Sequence, residues 1–396
     1  MILNSGQTNI TNISAFELGN NYSKFDIVYY SGYTDSSVEY PAAQNASGHY
    51  YYTGAAATST TSNLPITANG PWTNKFFSES SYGSTVSYKN EYYGMQFGDG
   101  YFSNLSKSEN SLTATFNIDL NKRSDKEAKA VIHLFEDSFN KGNKPSGGYT
   151  GIYWTPFPPY DREHEFYIEQ FDNDLEYPNV NNISTSFYNE SESVTDWQNF
   201  YIPFKNTEGF FEQGKEYYPD NIIYASGSSF SKYTSGWYYY SGTEPTSSTP
   251  SNGPVGSSSK WTKDVFYFPV NKGVVFEESP RFYKQNFSNG YFIRVDDGIN
   301  KSLLELNFTL KGRSDTEAKA IVHFLEKHRG KDQFLFTPPA PYDEQKVFVC
   351  PEWAHSINYK NNNSITVLFL EQPINYLSVK VEFLNLITID PYLPLT

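Results

Sequence analysis

The chain is written twice. Arg123-Ser-Asp-Lys-Glu-Ala-Lys-Ala-Val-Ile-His-Leu-Phe-Glu136 returns as Arg313-Ser-Asp-Thr-Glu-Ala-Lys-Ala-Ile-Val-His-Phe-Leu-Glu326, with nine of fourteen positions identical, at an offset of 190. Gly100-Tyr101-Phe102 and Gly290-Tyr291-Phe292 keep that offset; Trp72-Thr73 and Trp261-Thr262 stand 189 apart; Tyr50-Tyr51-Tyr52 and Tyr238-Tyr239-Tyr240 stand 188 apart. Thr155-Pro-Phe-Pro-Pro-Tyr-Asp161 and Thr337-Pro-Pro-Ala-Pro-Tyr-Asp343 are 182 apart, so the first copy holds eight extra residues in its Gly-rich stretch from Lys141 to Gly151. Five anchors in one order predict a tandem duplication of about 190 residues, which divides the 396 residues into two equivalent halves.

Each half divides again. We expect an N-terminal segment and small aromatic β module at 1–75, a larger domain at 76–200, a second aromatic module at 201–264 and a second larger domain at 265–396. Aromatics make up 18% of the chain, with 34 Tyr and 31 Phe. Such residues suit pleated, half-buried surfaces, so the expected class is mainly β, with one helix per repeat (α+β). Leu112–Leu120 and Leu304–Leu310 alternate like strands; Ser364–Leu370 and Val347–Cys350 read as further strands. With a helix packed on it, each larger domain is expected to be a β-barrel or sandwich.

The helix is the best specified element. Ser124 and Ser314 precede it and Glu127 and Glu317 follow three residues later, the spacing of a capping box in which Ser and Glu each satisfy an otherwise unpaired backbone N–H. Asp125 and Asp315 place negative charge at the positive end of the dipole. Ala128, Val131, Ile132 and Phe135 form one apolar stripe, repeated by Ala318, Ile321, Val322 and Leu325. Gly142 and Gly330 mark its ends.

Composition removes several functions. Thirty Lys+Arg against 44 Asp+Glu give a net charge of −14, which speaks against an overall basic nucleic-acid binder. A single Cys forms no internal disulfide and no Cys-ligated zinc or iron–sulfur site within the chain. No apolar run reaches the length of a membrane span, and Met1 to Gln7 lacks the features of a signal peptide, so we expect a chain that stays where it is made or leaves within an assembly or by cell lysis. His133 and His323 share one helical position beside Glu136 and Glu326, but no spacing supplies three metal ligands; a structural or interface histidine is the expected reading, with no metal and no cofactor. Asp99, Asp161 and Asp343 sit in turns, where Asp is ordinary, and equivalent Asp residues on two copies would not share one cleft, so no catalytic pair and no enzyme activity are expected. Cys350 in an apolar strand reads as a packed hydrophobe.

Two segments resemble known families. Phe97-Gly-Asp-Gly-Tyr101 before a strand, the helix ending in His-x-x-Glu, Phe334-Leu-Phe-Thr-Pro-Pro, Phe348-Val-Cys-Pro-Glu-Trp353 and a strand ending in Phe369-Leu-Glu-Gln372 together resemble the minor tail protein M family of phage tail tips, over about 120 residues per copy. The second copy has Ser288-Asn-Gly-Tyr291 in place of Gly-Asp-Gly, and the first lacks the Cys-Pro-x-Trp segment. The aromatic modules, with Tyr22 to Gly32, Tyr50-Tyr-Tyr and Trp72, then Tyr218 to Gly227, Trp237-Tyr-Tyr-Tyr240 and Trp261, resemble small carbohydrate-binding modules of the chitin-binding type. The Gly-Asp of that family is Phe25-Asp26 in one copy and Asp220-Asn221 in the other.

The first resemblance implies a structural protein of a bacteriophage tail tip or baseplate, resident in the virion and assembled in the host cytoplasm. Two ring domains per chain imply a ring of itself, three chains giving near-sixfold geometry or six giving two layers, joining a sixfold tail tube to a threefold spike or to peripheral baseplate parts. This resembles the hub of contractile-tail baseplates. Tube, spike and other baseplate proteins are the implied partners, with no membrane insertion and only transient DNA passage; an acidic wall would repel phosphates. The second resemblance implies a receptor- or glycan-binding tail protein as the alternative. Tyr51, Trp72, Trp237, Tyr239 and Trp261 would make its sugar contacts, or else protein interface contacts.

Overall fold

The structure is a computed structural model. It describes residues 13–31, 48–67, 70–90, 92–96, 102–106, 112–140, 151–160, 163–188, 210–225, 235–256, 259–271, 273–278, 280, 282–287, 290–296 and 302–372. The Gly-Asp-Gly turn with Asp99, then Asp161 and Gly142, lie outside these residues.

Two compact units emerge. One comprises 1–86, 114–205 and 357–359; the other comprises 87–113, 206–356 and 360–396. Each unit therefore takes a short segment from the opposite half of the sequence, which the expected boundaries at 76, 201 and 265 do not anticipate.

In the first unit the opening residues build a small module. Strands β1 (Asn21–Tyr22) and β4 (Ala57–Thr58) form a ribbon, and β2 (Ile27–Tyr30), β3 (Gly48–Tyr52) and β5 (Trp72–Thr73) form a three-stranded antiparallel sheet in the order β2-β3-β5. Its core is aromatic: Tyr30, Tyr50, Tyr52 and Trp72 pack with Val28. Phe25 sits at φ 72°, a left-handed conformation that glycine adopts without cost.

Strand β6 (Thr85–Asn90) starts in this unit, and a hairpin of β7 (Tyr92–Gln96) and β8 (Phe102–Ser106) follows. The chain then makes β9 (Leu112–Arg123), helix α1 (Asp125–Asn140), β10 (Ile152–Trp154), β11 (His164–Tyr177) and β12 (Val180–Tyr188), paired in the order β10-β11-β12-β9. Alternation along β9 buries Ala114, Phe116, Ile118 and Leu120, and α1 adds Ala128, Val131 and Phe135 to the same core.

The second unit repeats these forms. Strands β13 (Glu216–Tyr217) and β16 (Thr246–Ser247) make a ribbon, and β14 (Ile222–Ala225), β15 (Gly236–Tyr240) and β17 (Trp261–Thr262) a three-stranded sheet around Tyr217, Ile223, Tyr238, Tyr240 and Trp261. Asp220, like Phe25, has a positive φ, at 65°. Next come β18 (Val265–Phe266), β19 (Val275–Glu278), a hairpin of β20 (Phe282–Asn286) and β21 (Phe292–Asp296), β22 (Leu304–Arg313), α2 (Asp315–His328), β23 (Phe334–Phe336), β24 (Lys346–Tyr359) and β25 (Asn362–Glu371). The order is β24-β25-β22-β19, with β23 pairing β24 and β18 pairing β23 in parallel.

Among the described residues the sheets are open and carry a helix; of the expected barrel or sandwich, the closed barrel is not formed. Strand β19 pairs with β22 alone and β10 with β11 alone, so each order ends on a free edge instead of closing.

Helix starts follow the sequence with one change. Ser124 and Ser314 accept from the backbone N–H of Glu127 and Glu317, each at 3.2 Å. The two Glu carboxylates do not return the bond; they take Arg123 and Arg313 of the preceding strand. A hairpin turn supplies further caps. The Oδ1 atoms of Asn179 and Asn361 accept from the N–H of Asp125 (2.9 Å) and Asp315 (3.3 Å), and Asn181 and Asn363 donate to those Asp carboxylates at 2.8 Å. The stop of α2 also differs: Arg329 takes the left-handed conformation (φ 50°), one residue before Gly330.

Candidate interaction surface

Period-two alternation decides where the aromatic triplets point. In β3, Tyr50 and Tyr52 face the module core, while Tyr51 faces the other way and meets Nδ1 of His133 on α1 at 2.9 Å. In β15, Tyr239 does the same with Nδ1 of His323 at 2.9 Å. His133 and His323 are thus bolts between module and helix within each unit. Edge contacts extend both seats: His49 lies 4.6 Å from His133, and Trp237 lies 4.8 Å from His323. Complete burial holds His323 at a pKa of about 3, so it is neutral at physiological pH.

Ion pairs fasten the same seats. Lys126 of α1 reaches Asp26 at 2.8 Å, and Lys327 of α2 reaches Asp264 at 2.7 Å. Burial pushes the Asp264 carboxyl up, but Lys327 more than offsets this and holds it below its ordinary value.

The sequence nominated Tyr51, Trp72, Trp237, Tyr239 and Trp261 for contacts with sugar or protein. Tyr51, Trp72, Tyr239 and Trp261 are buried, their ring faces covered by their own unit; Trp237 is half-buried. A sugar ring stacks on an uncovered aromatic face, and four of the five do not present one.

The exposed aromatic surface lies elsewhere. The hairpin β20–β21 exposes Phe282, Tyr283, Phe292, Ile293 and Val295, joined by Phe287 and Tyr291 at its turn. Lys284 lies over the Phe292 ring at 4.6 Å and Arg294 over the Phe282 ring at 4.9 Å. A two-stranded ribbon with apolar side chains on both faces cannot bury them on itself. Sequence reading passed over it, although the consecutive aromatic and apolar residues of Phe282-Tyr283 and Tyr291-Phe292-Ile293 were the available signal.

The titratable candidates are dispersed. Asp343 is exposed in the loop before β24. Glu326 is fully buried beside Tyr88; burial raises its pKa well above the carboxylate range, against the lowering effect of Tyr88. His328 is buried between Phe324 and Phe334, which brings its pKa to about 3. Cys350 is buried, its thiol pushed up by burial, and its Sγ lies 3.4 Å from the Glu352 carbonyl. Among the described residues no three His, Cys, Asp or Glu side chains gather as metal ligands, and no helix is long and apolar enough to cross a membrane.

This chemistry is that of a packed scaffold with free strand edges and an aromatic arm. Residues 264–372, from the end of the second module to the end of β25, match the model of the phage minor tail protein family. Tail tip protein M of Escherichia phage lambda is 32% identical over 94 residues, a stretch that covers 24% of this chain and 84% of that protein. The match falls on the open sheet and helix of the second unit, and with it the chain belongs to the phage minor tail protein family.

Proposed function

We propose that this phage tail protein is a structural ring or hub component of the tail tip, built from two tandem copies of one domain, and that it acts without catalysis. The observation that supports this most directly is the recurrence of one element order: β9-α1-β10-β11-β12 returns as β22-α2-β23-β24-β25, each helix capped by an Asn hairpin turn and tied to its module by a Tyr–His pair. Only the second set falls within the matched residues.

Two equivalent domains per chain let three chains present six similar positions around an axis. Such a ring would meet a sixfold tube above and a threefold spike below. The net charge of −14 suits a conduit that passes DNA without holding it. The mass of the purified assembly tests this: three chains of 45.2 kDa give about 136 kDa. Averaged electron micrographs are expected to show threefold rings with near-sixfold features. A six-chain assembly with sixfold symmetry, or a monomer at all concentrations, would refute the proposed hub.

The glycan-binding alternative would have to rest on Trp237, the half-buried member of the nominated five. Retention on chitin or host polysaccharide that is lost in Trp237→Ala would support it.

A further inference from the structure

Among the described residues one strand joint occurs once, and its counterpart is missing. Strand β6 has two neighbours in the sheet order, β9 and β24, whereas β19, its counterpart at the offset of 190, has only β22. Strand β24 likewise has a partner along its distal half, whereas β11, its counterpart at the offset of 182, has only β12 beyond the residues that pair with β10. Among the described residues no strand pairs with the outer edge of β19 or with the distal edge of β11, and these edges correspond to the two halves of the β6–β24 joint.

The existing joint fixes the register. In the first unit Ile357 donates to the Ser84 carbonyl and accepts from the Gly83 N–H, and in the second unit the Tyr88 and Trp353 rings stack at 4.9 Å. Both pairs share one antiparallel register, because each step forward from Ser84 to Tyr88 is a step back from Ile357 to Trp353. Transferred by the two offsets, Val274 lies opposite Leu175, Val275 opposite Asp174, Glu277 opposite Asp172 and Glu278 opposite Phe171. The entry turn is retained as well: Gly83 and Gly273 have φ of 102° and 99°.

Burial marks the same edges as incomplete. Ile357 is 7% exposed, but its counterpart Leu175 is 60% exposed. Thr85 is half-buried, whereas its counterpart Val275 is 52% exposed; Val86 is fully buried and its counterpart Phe276 only partly so. Apolar side chains left open along two strand edges, where equivalents are covered, are a template for pairing.

We propose that the edge of β19 in one chain pairs antiparallel with the distal edge of β11 in a second copy, in the register Val275 opposite Asp174, reproducing between chains the joint that β6 and β24 make within one. This rests on the duplicated-ring reading and adds to it the contact that closes the ring. The copy is a second molecule of this chain because the two edges lie on different halves and a head-to-tail contact of this kind propagates until it closes. One feature distinguishes the joint from its model. Glu277 faces Asp172, where the existing joint has Ser87 facing Ala354, so two carboxylates meet and the contact tightens as salt screens them.

Disulfide trapping tests it in the full-length chain. Val275 and Asp174 form a non-hydrogen-bonded pair in this register, the close-approaching kind that a disulfide bridges. The double variant Val275→Cys with Asp174→Cys is expected to give, on mild oxidation, covalent multimers that stop at three chains, while Val275→Cys with Asp172→Cys, out of register, gives none. Glu277→Lys is expected to bring assembly to lower salt. A native trimer in which the in-register pair fails to cross-link overturns the edge assignment and leaves the three-chain ring standing. A cross-linked ladder that ends at six chains keeps the joint and overturns the three-chain count. A chain that stays monomeric at high salt, with no cross-link, overturns both.

Discussion

Tyr239 and His323 share a hydrogen bond of 2.9 Å inside the second unit, and Tyr51 and His133 share one of the same length inside the first. Each joins a module strand to the main helix from a site with almost no solvent, where an unpaired partner pays its full desolvation cost. Tyr239→Phe is expected to lower unfolding free energy by about 1–3 kcal/mol, seen as a lower urea midpoint with an unchanged slope. Tyr51→Phe should act similarly but affect the first unit, so two-transition melts would assign each loss to its unit.

Burial also makes the second unit acid-sensitive. His323 and His328 are held at pKa values of about 3 and His355 at about 4, against an ordinary 6.5. The unfolded chain binds protons at these groups that the folded chain refuses. Their stabilising effect is complete above pH 6.5 and is lost as pH falls towards 4 and 3, at a cost on the order of a few kcal/mol per group. Thermal midpoints measured from pH 7 to pH 4 should fall steeply. His328→Phe, which suits the aromatic cage of Phe324 and Phe334, should flatten that slope by about one proton.

Glu326 has the opposite sign. Its folded pKa lies well above 4.5, so the folded state keeps a proton that the unfolded state releases, and stability declines as pH rises above 4.5 towards the folded value. Glu326→Gln removes that ionisation. It is expected to stabilise the protein at pH 8 relative to the native chain and to make little difference at pH 4, which paired denaturation curves at the two pH values would show.

The helix caps predict a further loss. Asn363 donates to the Asp315 carboxylate and to the Arg313 carbonyl while accepting from His355, all in a buried position. Asn363→Ala is expected to cost about 2–4 kcal/mol, since it strips a cap and strands two buried partners. Urea titration of the variant would measure it.

Local rules were readable along the chain. The alternation of Leu112-Thr-Ala-Thr-Phe-Asn-Ile-Asp-Leu gave the burial of β9, and Ser-x-x-Glu gave both helix starts, because these depend on neighbours within a turn or a pleat. The helix stripe was too narrow. In α2, His323, Phe324, Glu326 and His328 are buried too, since module, sheet and β6 residues cover it from several sides. Four of the five nominated Tyr and Trp are buried for a related reason: aromatic excess marks surfaces that want burial, and in a three-stranded module their own fold supplies it. Free strand edges carry no local signature at all. They are defined by what fails to pair, which depends on elements far away in the sequence.

Ile357 completes the first unit from a position 273 residues downstream of Ser84. During synthesis at about 5–20 residues per second, that is a wait of roughly 15–55 s. Until then the strand that begins at Thr85 leaves the ribosome with one side unsatisfied. Nascent chains on one messenger are thus close together while that edge is open, and a neighbour's strand can reach it before the chain's own. The order of synthesis therefore favours partners made at the same time and place, and expression with sparse ribosome loading should reduce mispaired aggregates.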